Sequence, residues 1–159
     1  MQLGSGAVAR TTQDKLREIV SVKDFGAKGD GSTDDTSAIQ AAINYAATFG
    51  SGFGAEVVFP TGQYNYSALT ISNSGVSLRG QGKAALVKTS ATGNGLLVIG
   101  PTGRIYGAGI QNLQFSASVA QTSGAAVYIT NAGQCKLDNL TFTSYPFPCF
   151  RGLQTNNVS

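Results

Sequence analysis

The chain has 159 residues, eleven Lys/Arg against eight Asp/Glu, a formal charge of +3 and no His or Trp. Apolar residues make up 42% and charged residues only 12%, which excludes a disordered chain, because disorder goes with few apolar groups and high charge. No two basic residues are adjacent, so no nucleic-acid-binding stripe is present, and the lack of His removes imidazole bases and imidazole metal ligands.

Residues 1–20 read as an arm with a short helix around Thr11–Glu18. Leu16, Ile19 and Val20 give it too little apolar surface to stand alone, so it must pack on its own domain or on copies of itself. Met1-Gln2-Leu3-Gly4-Ser5-Gly6 lacks the basic start and apolar core of a signal peptide, and no stretch reaches the ~18 apolar residues of a membrane span.

Residues 21–55 read as strand, turn and capping helix. Val20 and Val22 lead into Phe25, and Gly26, Gly29 and the Asp30-Gly31 dipeptide break the chain. Asp34, Asp35 and Thr36 offer acceptors to the free N–H groups of a starting helix. Ile39, Ala42, Ile43 and Ala46 then form one apolar stripe, which ends before Phe49-Gly50-Ser51-Gly52. A single amphipathic helix ahead of many strands suits a lid on an open stack.

Residues 56–159 read as strands with an imperfect repeat. Asn112-Leu113-Gln114-Phe115 recurs as Asn139-Leu140-Thr141-Phe142, 27 residues on. The apolar runs that open at Gly95 and Gly124 are 29 residues apart. Such a period with several short strands marks a solenoid coil, with Leu113/Phe115 and Leu140/Phe142 as stacked interior ladders. Gly103, Gly107, Gly109 and Gly133 are expected at corners, and about three coils fit. No polar C-terminal cap is recognisable, so the chain is expected to be the N-terminal part of a longer protein or to have its end covered by another chain.

The residues Val22-Lys23-Asp24-Phe25-Gly26-Ala27-Lys28-Gly29-Asp30-Gly31, Thr33-Asp34-Asp35-Thr36 and Ala38-Ile39-Gln40-Ala41-Ala42-Ile43 resemble the opening of the pectate-lyase-like right-handed parallel β-helices. Glu56 to Tyr64 looks like that family's first strand and turn, and Gly75 to Gly82 like its first full coil. The resemblance implies an all-β fold, a right-handed parallel β-helix with an N-terminal arm and one capping α-helix. Lyases, hydrolases and non-catalytic proteins share this opening, so it implies no single chemistry. Upstream, Gly6 to Glu18 running into Phe25 resembles the neck of bacteriophage tailspikes, where a short helix joins a virion-anchoring head to the β-helix.

Eight acids are present: Asp14, Glu18, Asp24, Asp30, Asp34, Asp35, Glu56 and Asp138. Asp34 and Asp35 are read as helix caps and Asp30 as a turn residue. Glu56 and Asp138 flank strands and are read as solvated. The Asp30–Asp35 cluster lacks the Asp-x-Asn-x-Asp-Gly register and distal Glu of a calcium loop. Lys88, Arg104, Lys136 and Arg151 lie on the coils and are read as solvated, not as a lyase base. Cys135 and Cys149 show no metal-ligand spacing and are read as two buried thiols, with a disulfide as the alternative. Tyr145-Pro146-Phe147-Pro148-Cys149-Phe150 is an aromatic loop read as packing on its own coil; sugar stacking or a subunit contact are the alternatives. No catalytic, cofactor-binding or metal-binding residue is nominated.

The resemblances imply a homotrimeric phage tailspike, made in the host cytoplasm and carried on the virion tail. They imply contact with other tail proteins through the N-terminal side, and binding with enzymatic cleavage of a bacterial surface polysaccharide. No nucleic acid or membrane partner is expected. Within it this segment is expected to be structural, as trimer neck and β-helix cap. The alternatives are a cut-short polysaccharide lyase or glycoside hydrolase outside any virion, and a non-catalytic adhesive fibre.

Overall fold

A computed structural model describes Thr11 and residues 19–49, 53–100, 103–145 and 148–153. The neck helix expected at Thr11–Glu18 lies outside the described residues apart from Thr11, as do 50–52, Pro146 and Phe147 of the aromatic loop, and 154–159. In chain order the elements are β1 (Val20–Ser21), a 3₁₀ turn (Val22–Phe25), β2 (Asp30–Asp34), α1 (Thr36–Ala46), β3 (Glu56–Phe59), β4 (Gly62–Tyr66), β5 (Leu69–Ile71), β6 (Ser77–Gly80), β7 (Ala84–Lys88), β8 (Leu96–Ile99), β9 (Ile105–Tyr106), β10 (Gly109–Gln111), β11 (Gln114–Ala117), β12 (Val127–Thr130), β13 (Ala132–Gly133), β14 (Lys136–Asp138), β15 (Thr141–Thr143) and β16 (Phe150–Leu153).

The strands wind into three parallel sheets. Sheet one is β1-β3-β6-β10-β14, sheet two β2-β4-β7-β11-β15 and sheet three β5-β8-β12-β16, with β9 and β13 paired at the corner between sheets three and one. Every pairing is parallel, and each turn of chain visits the sheets in the same order. This is a right-handed parallel β-helix with one capping α-helix among the described residues. Among the described residues it makes four strand-bearing turns after α1, one more than the repeat length suggested. The first turn is short, with Glu56 beneath Ser77 and Gly62 beneath Ala84, so an average taken from later coils undercounts. No helix of the described residues is long and apolar enough to cross a membrane.

Parallel in-register stacking places like residues above one another, and alternation sends every second one inward. Sheet one stacks Val20, Val57, Leu78, Ile110 and Leu137. Sheet two stacks Tyr64, Leu86, Phe115 and Phe142, and the last two rings lie 5.6 Å apart at 19°. Sheet three stacks Ile71, Val98 and Ile129. These columns fuse into one core. The expected Leu113/Phe115 and Leu140/Phe142 ladders are present, because Gln114–Ser116 pair with Thr141–Thr143 in register.

The corners differ from the sequence reading in two ways. Leu96 pairs with Val127, so that coil is 31 residues long and not 29; the two extra residues enlarge the corner before β12. Gly109 and Gly133 lie in short strands, whereas Asn112 and Asn139 make the sharp corner between sheets one and two with φ of 52° and 47°. Asparagine tolerates this left-handed backbone, and Asn139 Nδ2 donates to Asn112 Oδ1 at 2.8 Å, so one corner supports the next. Gly80 ends β6 here because a Cβ would stand 2.0 Å from Asn112 O.

The stacked rings generate a prediction. Phe115 is fully buried between Leu86 and Phe142, so Phe115→Ala should cost about 3–5 kcal/mol in urea unfolding. Phe142→Ala should cost less, since that ring is only partly buried.

Candidate functional site

The base of the β-helix is closed by α1. Its buried stripe is Ile39, Ala42, Ile43 and Ala46, as the spacing predicts, and it packs on the 3₁₀ turn, β1, β3 and β5. Sheets one and two each have a strand from the first pass of the chain, β1 and β2, but sheet three begins at β5. α1 fills the missing place. Gln40 Nε2 donates to Thr70 O at 2.9 Å and Thr70 N donates to Gln40 Oε1 at 2.9 Å. One turn earlier, Thr36 Oγ1 accepts from Ser67 N at 2.9 Å. Two side chains at i and i+4 thus stand in for a neighbouring strand: Gln40 satisfies the free edge of β5 at Thr70, and Thr36 meets Ser67 just before that strand.

The carboxylates before α1 hold the lead-in loop. Asp35, almost fully buried, is the N-cap residue yet makes no capping bond with its side chain, contrary to the sequence expectation. Its oxygens turn back and accept from Lys28 N at 2.7 Å and Gly29 N at 3.0 Å, which fixes the loop under Tyr64. Gly29 has φ of 63°, and a Cβ there would stand 2.7 Å from the Tyr64 ring. Asp34 caps instead, accepting from Thr36 N at 2.9 Å. Asp30 accepts from the N–H groups of Thr33 and Ser32, each at 2.8 Å, and from the Thr33 hydroxyl, which together hold it well below the usual carboxylate range. These oxygens are engaged by backbone donors, and among the described residues no cluster of three or more acids, cysteines or histidines could hold a metal.

The outer faces carry the remaining candidates. On sheet one Glu56 is not simply solvated: its Oε2 accepts from Arg79 Nε at 2.7 Å across adjacent strands. Asp138 lies three strand spacings above Glu56 and two residues farther along the strand, a backbone separation of about 16 Å, too far for the paired carboxylates of a glycosidase. Lys136 shares the outer face of sheet one, and Arg104 and Arg151 are exposed as expected. On sheet three, exposed Arg151 stands in register beside half-buried Tyr128. An open groove of about 320 Å³ runs up the corner between sheets one and two, lined by Gly82, Lys83, Asn112, Gln114, Asn139 and Thr141. Its lining of amides, a hydroxyl and one ammonium can hydrogen-bond a polyhydroxylated ligand.

Lys88 and Cys149 depart from the sequence reading, whereas Tyr145 packs against the core as the loop reading expects. Lys88, expected in solvent, is fully buried. It ends the inward set Ala84, Leu86 and Lys88 of β7, and desolvation pushes its ammonium below the ordinary lysine range. Tyr66 and Tyr145 both bury hydroxyls that have no hydrogen-bond partner among the described residues. Burial, then the neighbouring Tyr145, pushes Tyr66 far up; burial, then Cys149, pushes Tyr145 up to about 12. Cys135 is buried and Cys149 only half-buried, and both are free thiols.

The parallel coils, the amide-lined corner and the helical lid define the pectate-lyase-like class of β-helix. The chain belongs to the rhamnogalacturonase A/epimerase, pectate lyase-like family, whose model matches residues 19–147. It is 38% identical over 89 residues to the tail spike protein of Shigella phage Sf6, covering 54% of this chain and 14% of that protein. It is 59% identical over 39 residues to the tail spike protein of an Escherichia phage, 24% of this chain and 5% of that one. It is also 34% identical over 116 residues to mannuronan C5-epimerase AlgE4 of Azotobacter vinelandii, 65% of this chain and 20% of the epimerase. Among solved structures, the ORF18 protein of Geobacillus virus E2 superposes with a TM-score of 0.68 at 30% identity, over 82% of this chain and 26% of that one. The chain therefore spans a small part of the relatives it matches.

The lid and the interior each make a prediction. Gln40→Ala leaves Thr70 N and O facing the helix unpaired, and should lower stability by about 1–3 kcal/mol in urea unfolding. Gln40→Glu should lose most of the same amount, since a carboxylate cannot donate to Thr70 O. The unpartnered Tyr66 hydroxyl gives the opposite sign: Tyr66→Phe should be neutral or stabilising by up to about 1 kcal/mol at pH 7. Tyrosines ionise near pH 10 when unfolded, and both buried hydroxyls resist ionisation in the fold, so stability is kept below about pH 10 and lost as the pH climbs toward and past 12. Tyr66→Phe should reduce that alkaline loss, measured as Tm against pH.

Proposed function

We propose that this chain is the N-terminal part of a phage tailspike that binds and degrades a bacterial surface polysaccharide during host attachment. In this reading the segment itself is structural: residues 1–20 align three copies and meet other tail proteins, and α1 starts the β-helix. The observation that carries the structural role is the lid, in which α1 completes the base of sheet three through Thr36 and Gln40. Similarity to two tail spike proteins and to a virus protein supports the virion setting. The amide-lined groove and the Tyr128–Arg151 pair are surfaces on which a glycan can rest, with cleavage assigned to parts of the whole protein outside this chain.

Similarity to the mannuronan C5-epimerase over 65% of the chain favours a second reading, a polysaccharide-modifying enzyme outside any virion. Light scattering after size exclusion separates the two. The tailspike reading expects a trimer of about 49 kDa from the 16.3 kDa chain, falling to monomer when residues 1–20 are removed. A monomer in both cases would favour the second.

A further inference from the structure

Lys88 lies at the corner between sheets two and three, where among the described residues no carboxylate hydrogen-bonds to it. Its Nζ donates to Ser90 O at 2.6 Å, Ser90 Oγ at 2.8 Å, Thr92 O at 2.8 Å and Gln121 Oε1 at 3.0 Å. An ammonium has three N–H groups, so four oxygens share three donors. The cage is built from two successive turns of the solenoid. Ser90 and Thr92 belong to the corner after β7, and Gln121 to the corner above it, after β11. Gln121 is itself 4% exposed, and its Nε2 donates to Ser90 O at 2.9 Å and Val119 O at 3.1 Å. Around the cage the two corners are tied by Ser118 N to Lys88 O at 3.0 Å and Thr122 N to Ala91 O at 2.8 Å.

A convergent shell of neutral oxygens at 2.6–3.0 Å is what a large monovalent cation requires. It is wider than the 2.3–2.6 Å shell of calcium. Burying an ammonium is costly unless its donors are met, so the oxygens and the charge must be considered together. We propose that this corner is a monovalent-cation site built into the fold, occupied by the chain's own Lys88 ammonium, and that the bound charge holds the two stacked corners in register. The ligand class is a primary ammonium.

The test compares the chain with Lys88→Met, which keeps the stem without the charge, and Lys88→Ala, which opens the cage. Lys88→Met should lower Tm by about 6 °C or more, because the carbonyls are left facing a thioether. In Lys88→Ala, n-propylammonium chloride should restore part of the loss in a saturable way, while tetramethylammonium chloride at the same ionic strength should not, and neither should stabilise the native chain. Unchanged stability of Lys88→Met, or equal response to both salts, would overturn the proposal. Should Lys88→Ala not fold, acylation of the native chain decides. At pH 8.5 Lys88 should be modified at least tenfold more slowly than exposed Lys83 by mass mapping, and Gln121→Met, which removes one oxygen, should narrow that gap. Equal rates at Lys88 and Lys83 in the native chain, or an unchanged gap in Gln121→Met, would contradict it.

Discussion

A parallel β-helix depends on what its first coil rests on. Each strand satisfies half its backbone groups from below, so the lowest strand of every sheet presents an open edge to water or to another chain. Here the edge of β5 and the residue Ser67 that leads into it are met by two side chains of one helix, Gln40 and Thr36, placed on the same face by their spacing of four. The apolar stripe of that helix covers the end of the core at the same time. Hydrogen bonding and hydrophobic closure therefore come from a single element, and the columns above inherit its register.

Once the base is fixed, in-register stacking carries the rest. Val20 to Leu137 in sheet one and Tyr64 to Phe142 in sheet two are unbroken inward columns, so the core needs no long-range crossing. Variation is pushed to the corners. The sheet one–two corner is short and keeps the Asn112–Asn139 bond, whereas the sheet two–three corner is long and is secured from inside by Lys88 and Gln121. Corner length varies freely because it changes no inward residue, which is why coil lengths differ without disturbing the columns.

Much of this is legible in the residues. The period of Ile39, Ala42, Ile43 and Ala46 identifies the helix and its buried face, and the Asn-Leu-x-Phe repeat locates a true register. The pairing at Gly95 and Gly124 misleads because Gly124 sits in the enlarged corner with φ of 90°, so two similar glycines do different work. Charge alone puts Lys88 in solvent, although the alternation of Ala84, Leu86 and Lys88 already points it inward. Position alone makes Asp35 a cap; that its carboxylate faces Lys28 and Gly29 depends on a loop whose path the sequence does not state. The groove is invisible in the sequence because it forms only when three successive corners stack.

The most direct test of the central claim is residue-resolved amide hydrogen exchange on the native chain. If side chains of α1 stand in for a strand, the amides of Ser67 and Thr70 will be protected to the same order as those of β8 inside sheet three. Exchange of these two amides as fast as that of the exposed corner residues would contradict the account.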